Sequence, residues 1–220
     1  MKKKLAVLSL LAVCAAVAVS GTLAYFTSED TAHNVITSGG VSIELVEKTK
    51  ENGTEVEFPE DGLTGIMPGT SASKIVSVKN TGEADAWIRV SVNIGITAAE
   101  KSGLHLSGPG APMAPVCLPL TVTDAEGNEI PVVSFTVKTE EYGGNWIYNA
   151  DDDCYYYKDI VKPDEVTDVL FDEVTFAKEM GNEYQNCTVT IDVAAHAVQS
   201  DNNPIPDGGT VADIPGWPEA

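Results

Sequence analysis

The sequence predicts an all-β fold, an antiparallel, jelly-roll-like β-sandwich. Three observations carry that reading. Apolar and polar residues alternate with a period of two in several Val-, Ile- and Thr-rich runs, so one face of each strand meets a core and the other solvent. Turn-forming pairs punctuate those runs at short intervals. After the N-terminal segment, no amphipathic stretch reaches about ten residues, the length a packed helix needs. Short strands with frequent turns are the pattern of sandwiches and jelly rolls.

Taken in order, the chain begins with a targeting segment. Lys2, Lys3 and Lys4 form a cationic start, and Leu5 to Val19 is apolar except for Ser9. Thr22 and Ala24 are small residues where a signal peptidase reads its substrate, which predicts a signal peptide over 1–24, cleavage between Ala24 and Tyr25, and secretion. The competing reading is an uncleaved anchor, since Leu5 to Phe26 is uncharged and long enough to span a bilayer. Cys14 does not read as a lipid-attachment site, because Val13 stands before it where a small residue belongs.

One domain is expected over 25–199. Val41, Ile43 and Leu45 alternate with Ser42 and Glu44, and Ile88, Val90, Val92 and Ile94 alternate with Trp87, Arg89, Ser91 and Asn93. Val133, Phe135 and Val137 follow the same rule, as do Val189, Ile191, Val193, Ala195 and Ala197 against Thr190, Asp192 and His196. Turns are expected at Asn52-Gly53, Asp61-Gly62, Pro68-Gly69, Asn80-Thr81-Gly82, Glu126-Gly127-Asn128 and Gly143-Gly144-Asn145. Thr97–Lys101 and Val174–Met180 each have room for a helical turn or two, and 103–116, with three prolines, reads as a long irregular loop. Residues 200–220 hold Pro204, Pro206, Pro215 and Pro218 and read as a flexible tail.

Composition sets the partners. The 220 residues carry 33 Asp and Glu against 13 Lys and Arg, a formal charge of -20, and 43% are hydrophobic. That apolar share supports a core and argues against a disordered acidic chain. Nucleic acid is excluded as a partner, because phosphate recognition needs clustered cations and Arg89 is the sole arginine. Signal removal takes three lysines and deepens the charge to -23, so self-association should be favoured by salt, Ca²⁺ or acid.

Catalytic signatures are sparse. His33, His105 and His196 are the only histidines and form no H-E-x-x-H pair, and no G-x-S-x-G elbow occurs. Cys117, Cys154 and Cys187 match no zinc spacing, and three thiols leave one over whichever pair forms. No catalytic residue and no required cofactor are expected. Asp151, Asp152 and Asp153 are a candidate Ca²⁺ loop, although they lack the ligand spacing of an EF-hand and read more readily as a solvated acidic turn. Trp146, Tyr148 and Tyr155 to Tyr157 read as cross-strand aromatic pairs, with a glycan platform as the alternative.

Several segments resemble the TasA/camelysin family of exported proteins from Gram-positive bacteria. The run Gly21-Thr22-Leu23-Ala24-Tyr25-Phe26-Thr27, followed by Ala32-His33-Asn34-Val35-Ile36 and Gly40-Val41-Ser42-Ile43, is similar to that family's N-terminus. So are Val78-Lys79-Asn80-Thr81-Gly82, Trp87-Ile88-Arg89-Val90, Tyr155-Tyr156-Tyr157-Lys158 with Lys162-Pro163, and Val193-Ala194-Ala195-His196-Ala197-Val198-Gln199. The resemblance implies processing by a SipW-type signal peptidase and a jelly-roll-like sandwich. It further implies a subunit of biofilm-matrix or cell-surface fibres, partnered by copies of itself and by other matrix or surface proteins. In such fibres the segment freed by signal cleavage adds as a strand to the next subunit; here that stretch is Tyr25–Ser38, ahead of a Gly39-Gly40 joint, with Phe26, Ala32, Val35 and Ile36 as its anchoring side chains. Burying those four would contribute on the order of 5–8 kcal/mol before ordering costs. The same resemblance carries a second function, a camelysin-like cell-surface metallopeptidase. A monomeric glycan- or host-binding domain is the third.

Overall fold

The computed structural model describes residues 40–59, 67–98, 116–185 and 187–218. Among these residues eleven strands run in chain order: β1 (Ile43–Glu51), β2 (Thr54–Glu57), β3 (Ser71–Asn80), β4 (Ala86–Thr97), β5 (Thr121–Thr123), β6 (Glu129–Pro131), β7 (Val133–Phe135), β8 (Trp146–Asn149), β9 (Cys154–Tyr157), β10 (Phe171–Phe176) and β11 (Thr188–Gln199). They form a five-stranded sheet in the order β2-β1-β3-β10-β7, a four-stranded sheet in the order β11-β4-β9-β8, and a small β5-β6 hairpin. Every strand pair is antiparallel. The two large sheets pack face to face, so the fold is the antiparallel β-sandwich that the alternation predicts.

Local chemistry explains the connections. Asn52 and Gly53 both take positive φ, 51° and 84°, and join β1 to β2 through a two-residue loop in which Glu51 faces Thr54. Two positive-φ residues give the turn twist that matches flanking strands, and Asn-Gly adopts it at least cost. After β3, the buried Asn80 side chain donates to the carbonyls of Ala84 and Val161 at 2.8 Å each and accepts from the Gly82 amide at 2.9 Å. Gly82 itself approaches the backbone so closely that a Cβ would lie 2.6 Å from the Ser42 nitrogen. Only glycine fits that approach.

The core is one continuous cluster between the sheets. Ile43, Val76, Val78, Phe171, Val174 and Phe176 from one sheet meet Ile88, Val90, Val193, Ala195, Ala197 and Trp146 from the other. The parity read from the sequence holds along β4 and β11, whose even-numbered apolar residues (Ile88, Val90) and odd-numbered ones (Val193, Ala195) respectively face inward in register. All described residues lie within one compact unit, His33–Ala220.

Two expectations change. Val174–Phe176, read as the start of a helical turn, is the end of β10, because Val174 and Phe176 pair with Phe135 and Val133 and are buried there. Among the described residues the only helical pieces are three-residue 3-10 turns. The expected flexible tail is instead packed over 200–218. Val211 and Ile214 are buried and join Trp87, Cys154, Tyr156 and Val198 in a second apolar cluster on the far side of the four-stranded sheet. β11 ends at Gln199, ahead of the first of these prolines, and the prolines do not prevent docking. The 1–24 signal segment, the Ala24–Tyr25 cleavage point, the donor stretch with Phe26, Ala32, Val35 and Ile36, and most of the 103–116 loop lie outside the described residues.

Candidate functional site

The outer face of the four-stranded sheet holds a buried, hydrogen-bonded polar group. Strand pairing sets its rows: His196 of β11 lies opposite Arg89 of β4, which lies opposite Tyr156 of β9. Val198 faces Trp87 one row away, and Ala194, Ser91 and Cys154 form the next row. An outward-facing row would ordinarily be wet, but the C-terminal segment covers this one. Arg89 is only 3% exposed.

A buried guanidinium must be paired to be tolerated. Arg89 donates through Nη1 to Asp152 Oδ2 and to the Tyr156 hydroxyl, both at 3.2 Å, and through Nη2 to the Pro218 carbonyl at 2.6 Å. Tyr156 in turn donates to the same Asp152 oxygen at 2.5 Å. The Trp217 ring sits 5.3 Å from the guanidinium carbon and edge-on to Tyr156 at 5.3 Å, which adds a cation–π contact to the ion pair. Burial, then the bond to Asp152, pushes the Tyr156 hydroxyl up to about 12. His196 is shifted down, first by burial and then by the positive charge of Arg89. Burial chiefly, with Asp152 assisting, raises the Cys154 thiol, so it is held as an inert thiol rather than a thiolate.

Three buried polar atoms in this group have no partner: Arg89 Nε, Asp152 Oδ1 and His196 Nδ1. Chemically, the cluster holds a main-chain carbonyl beside an aromatic ring. It contains no activated nucleophile.

This arrangement spreads the carboxylates of the acidic triplet apart. Asp152 turns inward to Arg89, Asp153 accepts from the Tyr148 hydroxyl at 2.7 Å, and Asp151 stays at the exposed tip. Among the described residues no group of three His, Cys, Asp or Glu side chains is gathered to hold a metal. The three carboxylates diverge because the loop is a tight turn between β8 and β9, with Asp153 at φ 55°.

The aromatic run splits by parity. Trp146 stacks against Tyr157 at 5.1 Å between the sheets, and Tyr148 pairs with Tyr155 at 5.1 Å with Tyr148 48% exposed. Cross-strand pairs account for Trp146, Tyr148, Tyr155 and Tyr157, while Tyr156 faces the opposite side and packs on Trp217. Of the histidines, His196 is placed as above, while His33 and His105 lie outside the described residues. Cys117 is exposed, Cys187 half-buried and Cys154 buried, all three as free thiols.

Edges complete the inventory. β2 ends one sheet as a four-residue strand with Glu55 and Glu57, and β7 and β8 are three and four residues long. β11 is a twelve-residue edge that pairs only with β4 among the described residues. Comparison with known protein families, characterised proteins and solved structures returned no match.

Proposed function

We propose that this chain is an exported structural subunit of the TasA type, which builds biofilm-matrix or cell-surface fibres by head-to-tail β-strand addition on a jelly-roll-like sandwich. The observation that carries the reading is the β11 edge. Short or charged edge strands discourage pairing with another chain, whereas a long edge with unpaired main-chain groups invites it. β11 offers twelve residues, with Asp192 its only carboxylate, and alternates half-buried Val189 and Ile191 with exposed Thr188, Thr190 and Asp192 over its first half. Added strands gain generic affinity from main-chain hydrogen bonds and specificity from alternate side chains. The segment Tyr25–Ser38, with Phe26, Ala32, Val35 and Ile36, supplies the donor, released when a SipW-type peptidase cuts after Ala24. A contact between different surfaces of successive subunits extends into a filament unless rotation closes a ring.

Electron microscopy of mature protein beginning at Tyr25, beside a version lacking Tyr25–Ser38, tests the proposal. Filaments from the first and dispersed particles from the second are expected, with more filaments as salt rises. Filaments from both, or from neither under any salt or pH, would remove it.

A further inference from the structure

We propose that the outer face of the four-stranded sheet around Arg89 is a docking site for the C-terminal segment Asp201–Pro218, and that it accepts this segment from a second copy of the chain as well as from its own. The inference is independent of the N-terminal donor strand, which it neither uses nor requires.

The segment sits on the sheet as a bound peptide does. The last main-chain hydrogen bond from this end of the chain to a sheet neighbour is Ser200 N to Asp85 O; beyond it, among the described residues, main-chain bonds stay within residues 200–218. What holds it are two side-chain donors of β4, Trp87 Nε1 to the Asn203 carbonyl at 3.0 Å and Arg89 Nη2 to the Pro218 carbonyl, together with the apolar contacts of Val211, Ile214 and Trp217. Two local bonds of Asn203 cross the junction, Nδ2 to the Gln199 carbonyl and the main-chain nitrogen to the Ser200 carbonyl.

The segment also carries its own bracing. Thr210 and Asp213 form a reciprocal capping box, and Trp217 Nε1 donates to the Val211 carbonyl at 2.9 Å. A ligand that arrives already shaped loses less entropy on docking.

The chain leaves the body through exposed Asp201 and Asn202, the latter at positive φ, and within the segment Pro204–Asp207 is exposed as well. Redirecting it moves no core residue. A segment exchanged between copies remakes the same contacts it leaves, so the difference between the two states lies in the connection and in effective concentration. Arg89 Nε, Asp152 Oδ1 and His196 Nδ1 remain unmet beneath the segment, and unmet buried groups make its own docking shallower than the apolar contacts alone imply.

Two full-length variants test this by complementation. Trp217→Ala keeps the seat and weakens the segment; Arg89→Lys keeps the segment and spoils the seat. Native mass spectrometry should find a mixed 1:1 dimer when the two are combined, and no dimer of this kind in either alone. If both fold, as circular dichroism reports, and the mixture stays unpaired, the exchange is refuted; equal dimer in Arg89→Lys alone refutes the role of the seat. Against misfolding of a variant, a labelled peptide spanning 201–218 is titrated into the full-length wild type and into full-length Val211→Ser. Binding roughly tenfold tighter to the variant, whose own segment competes less, supports the proposal, and equal or absent binding overturns it.

Discussion

The two faces of the four-stranded sheet are buried to similar degrees by opposite means. Inside, Ile88, Val90, Val193, Ala195 and Ala197 meet apolar partners of the other sheet. Outside, on the opposite face of the same strands, Arg89 and Tyr156 lie under the C-terminal segment and are bonded to Asp152, with His196 half-buried beside Arg89. Apolar packing is non-directional, so a core position tolerates any side chain of suitable shape. A buried charge has one acceptable solution, and loss of a single partner leaves the rest stranded. The inner face therefore specifies the fold, while the outer face specifies what may lie on it.

The largest effect should come from Arg89→Met, which strands the Asp152 carboxylate and frees the Pro218 carbonyl. A loss of about 3 kcal/mol in urea unfolding is expected, toward the low end for a buried pair because Asp152 keeps some access to water. Ile88→Val, one residue away on the inner face and fully buried, should cost about 1 kcal/mol. If the two losses were equal, the contrast between the faces would be broken. Thr210→Ala, which removes half of the capping box, should cost roughly 0.5–1 kcal/mol and raise proteolysis of 200–218 while β4 and β11 stay protected from hydrogen exchange.

Two pH effects should be smaller. Tyr156 has a folded value of about 12 against an ordinary 10, so the folded state holds its proton longer; its contribution is complete below pH 10 and is lost as pH rises toward 12. Ultraviolet titration should find it among the last tyrosines to ionise. His196 is depressed below 6.5, so the unfolded chain takes the proton first and stability declines as pH falls from 6.5 toward the lower folded value. His196→Gln should flatten that part of the acid limb of the urea midpoint.

Much of the inner face was legible in the sequence because its cause is local. Alternation along 86–97 and 188–199 follows from the pleat, and Asn52-Gly53 dictates its own turn. β2, β5 and β6 were not legible, since strands of three or four mostly polar residues show no period. The outer site was half visible. Parity put Arg89 and His196 on the outward face correctly, yet outward did not mean exposed, because the cover arrives from 129 residues away. Asp152 read as a loop carboxylate, since nothing near it in sequence reveals an arginine 63 positions earlier. The spacing of Val211, Ile214 and Trp217 was the available signal for a docked C-terminal segment, outweighed by the prolines around it.

The solitary arginine also gives the molecule a built-in gauge. An endoproteinase specific for arginine has one bond to cut, between Arg89 and Val90, in the middle of a strand flanked on both sides by neighbours. Loop breathing does not present that bond to an enzyme. Two fragments should accumulate only as fast as the whole sheet comes apart, so a single gel band would time the opening of this fold.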